Sequence, residues 1–198
     1  PTENGLVGYW KFDEGQGNFA YDSSGQANTG TLVMGASGLT WSGATASAIT
    51  FDNPYALDFD GVDDQVLTGN YNIATSTTPI SYSAWVKRSG TLSNFNIVIS
   101  HSPGLGNGGP VLHFGGGVTA DNELAVYSGT EYVRSGVTID TSWHHVVMTY
   151  DGTDMKLYVD GVEAISEPTL ISPGNVPFEI GGEWGTFPSF YFLGLLDD

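Results

Sequence analysis

The sequence predicts an all-β domain, a sandwich or barrel of short antiparallel strands. Three observations predict it. Runs that alternate apolar and polar residues recur along the chain, turn residues interrupt them every eight to twelve positions or so, and helix signals are nearly absent. The 28 glycines and 9 prolines are scattered rather than gathered in a linker, as many short strands joined by turns require. Hydrophobic residues make up 40% of the 198, enough for a packed core, and no composition break divides the chain. One domain over residues 1–198 is the expectation.

The strands follow in order. "GLVGYWKF" (5–12) alternates and stops at "DEGQG". "TPISYSAWVKRSG" (78–90) puts Ile80, Tyr82, Ala84 and Val86 on one face and Ser81, Ser83, Trp85 and Lys87 on the other. "NFNIVIS" (94–100), "GPVLHFGGG" (109–117), "NELAVYSG" (122–129) and "YVRSGVTI" (132–139) are further short strands bounded by Gly, Asn or Ser. "WHHVVMTYDGTDMKLYVDGV" (143–162) reads as strand, turn, strand, turn, with Asp151-Gly152 and Asp160-Gly161 as the turns. "PFEIGGEW" (177–184) and "FYFLGLLDD" (190–198) supply two more strands.

Charge and cysteine usage exclude whole classes of function. Five Lys and Arg stand against 22 Asp and Glu, a formal net charge of -17. Such a surface repels nucleic acid and anionic lipid, so neither is expected as a partner. The absence of cysteine removes disulfides, thiolate catalysis and Cys-type zinc sites. No apolar run reaches about twenty residues, so no membrane insertion is expected, and the start carries no basic-then-apolar leader.

The ordered set of local patterns resembles the laminin G-like, concanavalin A-like lectin/glucanase superfamily, in its bacterial branch. The resemblance is carried by "GLVGYWKFDEGQG" at the start, "DSSGQANTGT" (22–31), "LDFDGVDDQV" (57–66) and "SYSAWVK" (81–87). "SWHHVVMTYDGTDMKLYVDGV" (142–162), "FEIGG" (178–182) and "FLGLLDD" (192–198) complete it, so that it spans nearly the whole chain. It implies a two-sheet antiparallel jelly-roll β-sandwich with the first and last strands adjacent. It also implies an extracellular or surface setting as one module of a larger protein, often a structural Ca²⁺ and often a carbohydrate ligand. Similar domains continue past the final "LDD", so the chain is expected to be a fragment or to have a clipped last strand.

Candidate metal ligands lie in carboxylate-bearing loops. In "DSSGQANTGT", Asp22 and Asn28 offer side-chain oxygens among bare carbonyls, a mixed set that Ca²⁺ accepts. Hard oxygen ligands without thiolates favour Ca²⁺ over zinc or copper. In similar domains this loop meets the last strand, so the resemblance implies that Asp198, or else Asp197, completes the shell. The alternative is a turn in which Asp22 and Ser23 cap their own backbone. A second Ca²⁺ site is weighed at "FDGVDD" (59–64), and Asp13 and Glu14 read as closing a turn.

Candidate ligand-binding residues come from the opposite strand period. If Leu112, Phe114, Leu124 and Val126 face the core, then Val111, His113, Ala125 and Tyr127 face outward on one sheet. Aromatic faces against the apolar side of a pyranose are one way to bind sugar. His113 and Tyr127 are therefore candidates, joined from loops by His101, Trp184, Phe187 and Tyr191, with rim packing as the alternative role. His144 and His145 are adjacent on a strand, point to opposite faces and cannot easily share one metal, so they read as scaffold.

Three functions compete. A glycan-cleaving enzyme needs two carboxylates about 5–9 Å apart across a cleft, and no strand carries acids at the alternating spacing that usually supplies them. That leaves a non-catalytic Ca²⁺-supported binding module for carbohydrate recognition or adhesion, or a purely structural or protein-interaction domain of an adhesin, filament or virion.

Overall fold

The computed structural model describes residues 6–33, 39–44, 55–72, 77–90, 95–102, 109–115, 122–129, 131–169, 171, 175–182 and 190–197. In chain order the first strands are β1 (Phe19–Ala20), β2 (Gly30–Val33), β3 (Thr40–Ser42), β4 (Ala56–Asp60) and β5 (Gln65–Asn72). Next come β6 (Ile80–Arg88), β7 (Asn96–Ser100), β8 (Val111–Phe114), β9 (Glu123–Tyr127) and β10 (Tyr132–Thr138). The last are β11 (His144–Tyr150), β12 (Asp154–Val159), β13 (Val162–Pro168), β14 (Asn175–Ile180) and β15 (Leu193–Asp197). They form an antiparallel eight-stranded sheet, in the order β1-β2-β5-β14-β7-β8-β9-β10, and a seven-stranded sheet in the order β13-β12-β11-β6-β15-β4-β3. The chain is a two-sheet β-sandwich of the jelly-roll kind, as the sequence predicts.

Strand period decides which residues meet in the middle. β6 alternates buried and exposed along Ile80, Ser81, Tyr82, Ser83 and Ala84, so its inner row is the one the sequence assigns. Across the eight-stranded sheet the register places Leu32, Val66, Ile180, Ile99, Leu112 and Val126 in one row, and all six belong to the main core. Opposite them lie Val86, Met148, Leu157 and Leu196, each fully buried. Burying that many large aliphatic side chains is the dominant stabilising term, at roughly 25 cal/mol for each Å² of apolar surface removed from water.

The turns obey the same local chemistry. Asp160 and Gly161 both take positive φ, 51° and 79°, as a two-residue hairpin turn that follows the right-handed strand twist demands. Asp160 also accepts a hydrogen bond from the His145 amide (2.8 Å) and meets His144 Nδ1 (2.7 Å). The paired histidines therefore have separate partners. His144 lies between Asp140 and Asp160, whereas His145 packs beside Trp85 with ring centroids 5.0 Å apart and meets Ser83 Oγ at 2.9 Å.

Candidate functional site

The outer face of the eight-stranded sheet carries a second, smaller hydrophobic layer. Register puts Glu179, Ser100, Val111, Tyr127 and Tyr132 in one row across β14, β7, β8, β9 and β10. Ile97, Val111 and Tyr127 form a buried cluster of their own, against which Tyr132 and Phe190 pack. Above it sits an aromatic shelf. Phe95 stacks on Tyr132 (centroids 5.6 Å, 25° between planes) and meets Phe190 edge-on at 5.0 Å. All three rings are half-buried and keep surface toward solvent.

His113 and Tyr127 do face this outer side, but as its floor. His113 is fully buried between Phe95 (5.1 Å) and Tyr132 (5.8 Å), and neither ring nitrogen is in good hydrogen-bond geometry. Burial pulls its pKa down to about 4, with the main chain of Phe114 and Gly115 offsetting only part of the effect, so the ring is neutral at pH 7. Tyr127 is 6% exposed and its hydroxyl donates to the Gly129 carbonyl at 3.0 Å. The sequence expectation that these two side chains would touch a ligand directly is corrected: Phe95, Tyr132 and Phe190 lie over them. The strand period reveals which way a residue points, but not whether a loop-borne ring then covers it.

The remaining ligand candidates divide. His101 is also fully buried, its amide bonded to the Pro110 carbonyl at 3.1 Å, and so it contributes no surface. Tyr191 follows Phe190 and is only partly buried. Burial raises the pKa of its hydroxyl, and the charges of Asp63 and Glu179 raise it further, which sets Tyr191 among acids at the shelf's edge. A Cβ on Gly182 would stand 3.0 Å from both Gln65 and Tyr191, so these two side chains flank one glycine. Trp184 and Phe187 lie outside the described residues. Phe95, Tyr132 and Phe190 were missed as ligand candidates, although the hairpin signal held one of them: Tyr127 and Tyr132 flank "SGTE" and face each other in register.

The carboxylate of Glu123, on the neighbouring hairpin, is committed within the fold. Glu123 is 4% exposed, and its two oxygens accept from Arg134 Nη2 (2.7 Å) and the Gly136 amide (2.8 Å). Such a pair stiffens the β9–β10 hairpin under the shelf, and half of Arg134 stays in water.

The loop proposed for Ca²⁺ is built as a clasp. Asp22 Oδ1 accepts from the amides of Tyr9 (2.9 Å) and Ser24 (2.8 Å), while Oδ2 accepts from Ser24 Oγ (2.7 Å) and the Asn28 amide (2.9 Å). Burial pushes this carboxyl up, but the hydrogen bonds from Ser24, Asn28 and Tyr9 outweigh it and hold it below its ordinary value. Asn28 in turn donates from Nδ2 to the Val7 carbonyl, and its main-chain carbonyl accepts from Trp10 Nε1 at 2.8 Å. Four donors meet the one Asp22 carboxylate, the backbone-capping role that the sequence offers as the alternative to a metal ligand. Asp198 lies outside the described residues.

A better donor set stands in the other acidic loop. Asp60, Asp63 and Asp64 each offer a carboxylate oxygen, all within 4.8 Å of one another. Asp64 Oδ2 takes the Asp60 amide at 3.0 Å and Asp60 Oδ1 takes the Val62 amide at 2.8 Å. Asp60 Oδ2 and Gln65 Oε1 are buried without a hydrogen-bond donor. Like charges crowd here: burial, then Asp64 and Asp60, raise the pKa of Asp58. Three hard oxygens with orphaned acceptors beside them fit a divalent cation of the calcium kind.

Against known proteins, the family model for the concanavalin A-like lectin/glucanases superfamily, Laminin_G_3, matches residues 60–198. The chain belongs to this superfamily. Solved structures share the fold of this laminin G-like domain at low identity. Domain 4 of AbnA, an extracellular arabinanase from Geobacillus stearothermophilus solved with arabinotriose, is 20% identical with a TM-score of 0.72, covering 97% of this chain and 89% of that one. Trypanosoma rangeli sialidase is 17% identical (TM-score 0.65), covering 98% of this chain but 29% of its own. A Bacteroides ovatus protein, named a candidate carbohydrate-binding protein, is 19% identical (TM-score 0.56), covering 77% and 48%. Among curated proteins, none matches the chain. Among the described residues, no helix is long and apolar enough to cross a membrane.

Proposed function

We propose that this laminin G-like domain is a non-catalytic carbohydrate-binding module working outside the cell or at its surface, within a larger protein. The observation that carries the reading is the half-exposed shelf of Phe95, Tyr132 and Phe190 on the outer face of the eight-stranded sheet. Solvent-facing aromatic rings offer apolar contact to a pyranose or furanose ring, and nearby polar groups fix its orientation. Tyr191, next in the chain to Phe190 and partly exposed, is one such group. The kinship with a domain solved with arabinotriose supports the reading. Calcium, in this account, holds the Asp60–Asp64 loop against Gln65 and only indirectly shapes the sugar site.

A glycan array probed with the wild-type domain and the Phe95→Ala/Tyr132→Ala variant tests this. Glycan signals that disappear in the variant, with the β-sheet spectrum retained, support the module. A wild-type array without signal favours the second reading, a structural or protein-interaction domain, for which the net charge of -17 is the motivating observation.

A further inference from the structure

A single cation stands on the sheet that carries the shelf. Of the five Lys and Arg residues, Lys87 and Arg88 lie on β6, Lys156 on β12, and Lys11 bridges Asp13 at 3.0 Å outside the strands. That leaves Arg134, on β10, as the only basic residue among the strands of the eight-stranded sheet. Tyr132 and Arg134 share the outer side of β10, since Val133 between them pairs with Val126 and packs on the main core. Two residues of strand set them about 7 Å apart. On the other flank, the pairing of Asn96 with Phe114 carries Phe95 toward Gly115, whose amide bonds the Glu123 carbonyl at 3.2 Å. Arg134 and its partner Glu123 therefore border both Tyr132 and Phe95.

The backbone is shaped to hold this pair. The β9–β10 register shifts between Arg134 and Thr138, and Gly136 inside the bulge takes a φ of 68°. Its amide thereby reaches Glu123 Oε1 at 2.8 Å, while Arg134 Nη2 closes on Oε2 at 2.7 Å. The Glu123 side chain is only 5% exposed, whereas Arg134 keeps 54% of its side chain in water. A guanidinium carries five N–H donors in a rigid fork, and among the described residues Glu123 is its one hydrogen-bond partner. The fork is thus fixed on one side and open on the other, with its charge already matched.

We infer that Arg134 selects the ligand, donating to hydroxyls of a neutral sugar seated on Phe95 and Tyr132, while Glu123 turns away sugars that carry a carboxylate. The inference rests on the shelf being the sugar site. Fixed, coplanar donors suit a pair of neighbouring hydroxyls. A uronate or sialate would instead bring a second carboxylate to a cation that Glu123 already neutralises. Glu131, exposed beside Tyr132, and Glu179, in the row of Tyr132, add like charge on a molecule of net charge -17.

The experiment prints arabinotriose, cellotriose and galactotriose beside trigalacturonic acid and sialyllactose. Wild type, Arg134→Gln, Glu123→Gln and Phe95→Ala/Tyr132→Ala are applied, each checked for its β-sheet spectrum. Wild type should bind a neutral oligosaccharide and neither acidic one. By calorimetric titration Arg134→Gln should weaken that ligand at least tenfold, the worth of one hydrogen bond from a charged donor. Glu123→Gln keeps an acceptor for Gly136 but frees the Arg134 charge, and it should admit an acidic glycan, a gain that lost packing would not produce. Arg134→Gln binding like wild type overturns the inference, as does a wild type that prefers the acidic glycans or a folded Glu123→Gln that still rejects both. Should Glu123→Gln not fold, the Arg134→Gln titration decides alone. Signals that survive in Phe95→Ala/Tyr132→Ala, or a wild type that binds none of the five, overturn the shelf reading itself and the inference with it.

Discussion

Tyr127 and Tyr132 face each other directly across the β9–β10 ladder, their ring centroids 4.8 Å apart and inclined at 46°. The pair joins the floor of the shelf to its surface. Tyr127 is closed off and hydrogen-bonded, whereas Tyr132 carries Phe95 and stays half-open to solvent. Tyr132→Ala should therefore weaken glycan retention strongly. Stability should fall less, by about 2 kcal/mol, because a half-buried ring loses less than a core aromatic. Denaturant titration alongside affinity electrophoresis separates the two effects, and Tyr132→Phe should restore both.

The buried His113 makes stability depend on pH. Its folded pKa, about 4, lies below the unfolded value near 6.5, so below pH 6.5 the unfolded state binds the proton more readily. Stability from this group is full above pH 6.5 and is lost as pH falls toward 4, by on the order of 3 kcal/mol. Urea midpoints measured across that window should fall, and His113→Leu should flatten the slope. An unchanged slope in the variant would assign the pH dependence to the carboxylates.

The Asp22 clasp predicts a variant that behaves differently from chelation. Asp22→Ala leaves the amides of Tyr9, Ser24 and Asn28 without their acceptor, and should cost about 3 kcal/mol with or without calcium. Thermal melts of this variant in calcium and in chelator should be displaced from wild type by the same amount. A calcium-dependent displacement would return the metal to Asp22.

The acidic loop predicts the complementary result. Adding calcium should raise the melting temperature of the wild type by mass action, and Asp63→Asn with Asp64→Asn should remove that rise. Without calcium the same variant should match or exceed the wild type, since like charges crowded around Asp58 have been relieved.

Much of this arrangement was legible in the sequence. Period-2 alternation gave the inner rows of β6, β8 and β9, and Asp160-Gly161 gave its turn, because pleat and twist act locally. The covering of His113 was not legible, since Phe95 and Tyr132 reach it from positions 18 and 19 residues away in the chain. The clasp formed by Asp22 was legible only as one of two alternatives, for a related reason. A carboxylate flanked by Ser and Asn reads equally well as a ligand or as an acceptor for amides, and only the position of Tyr9, 13 residues upstream, decides between them. Even the acidic loop, weighed second in the sequence, gains standing only through the orphaned oxygens of Asp60 and Gln65.

The most direct test of sugar recognition on the aromatic shelf is an NMR titration with a glycan selected from the array, following backbone amide shifts. The account predicts perturbations concentrated at Phe95, Tyr132, Phe190 and Tyr191 and absent from Ser81–Ala84. Binding that instead moves the seven-stranded sheet, and leaves Tyr132 and Phe190 untouched, would contradict it.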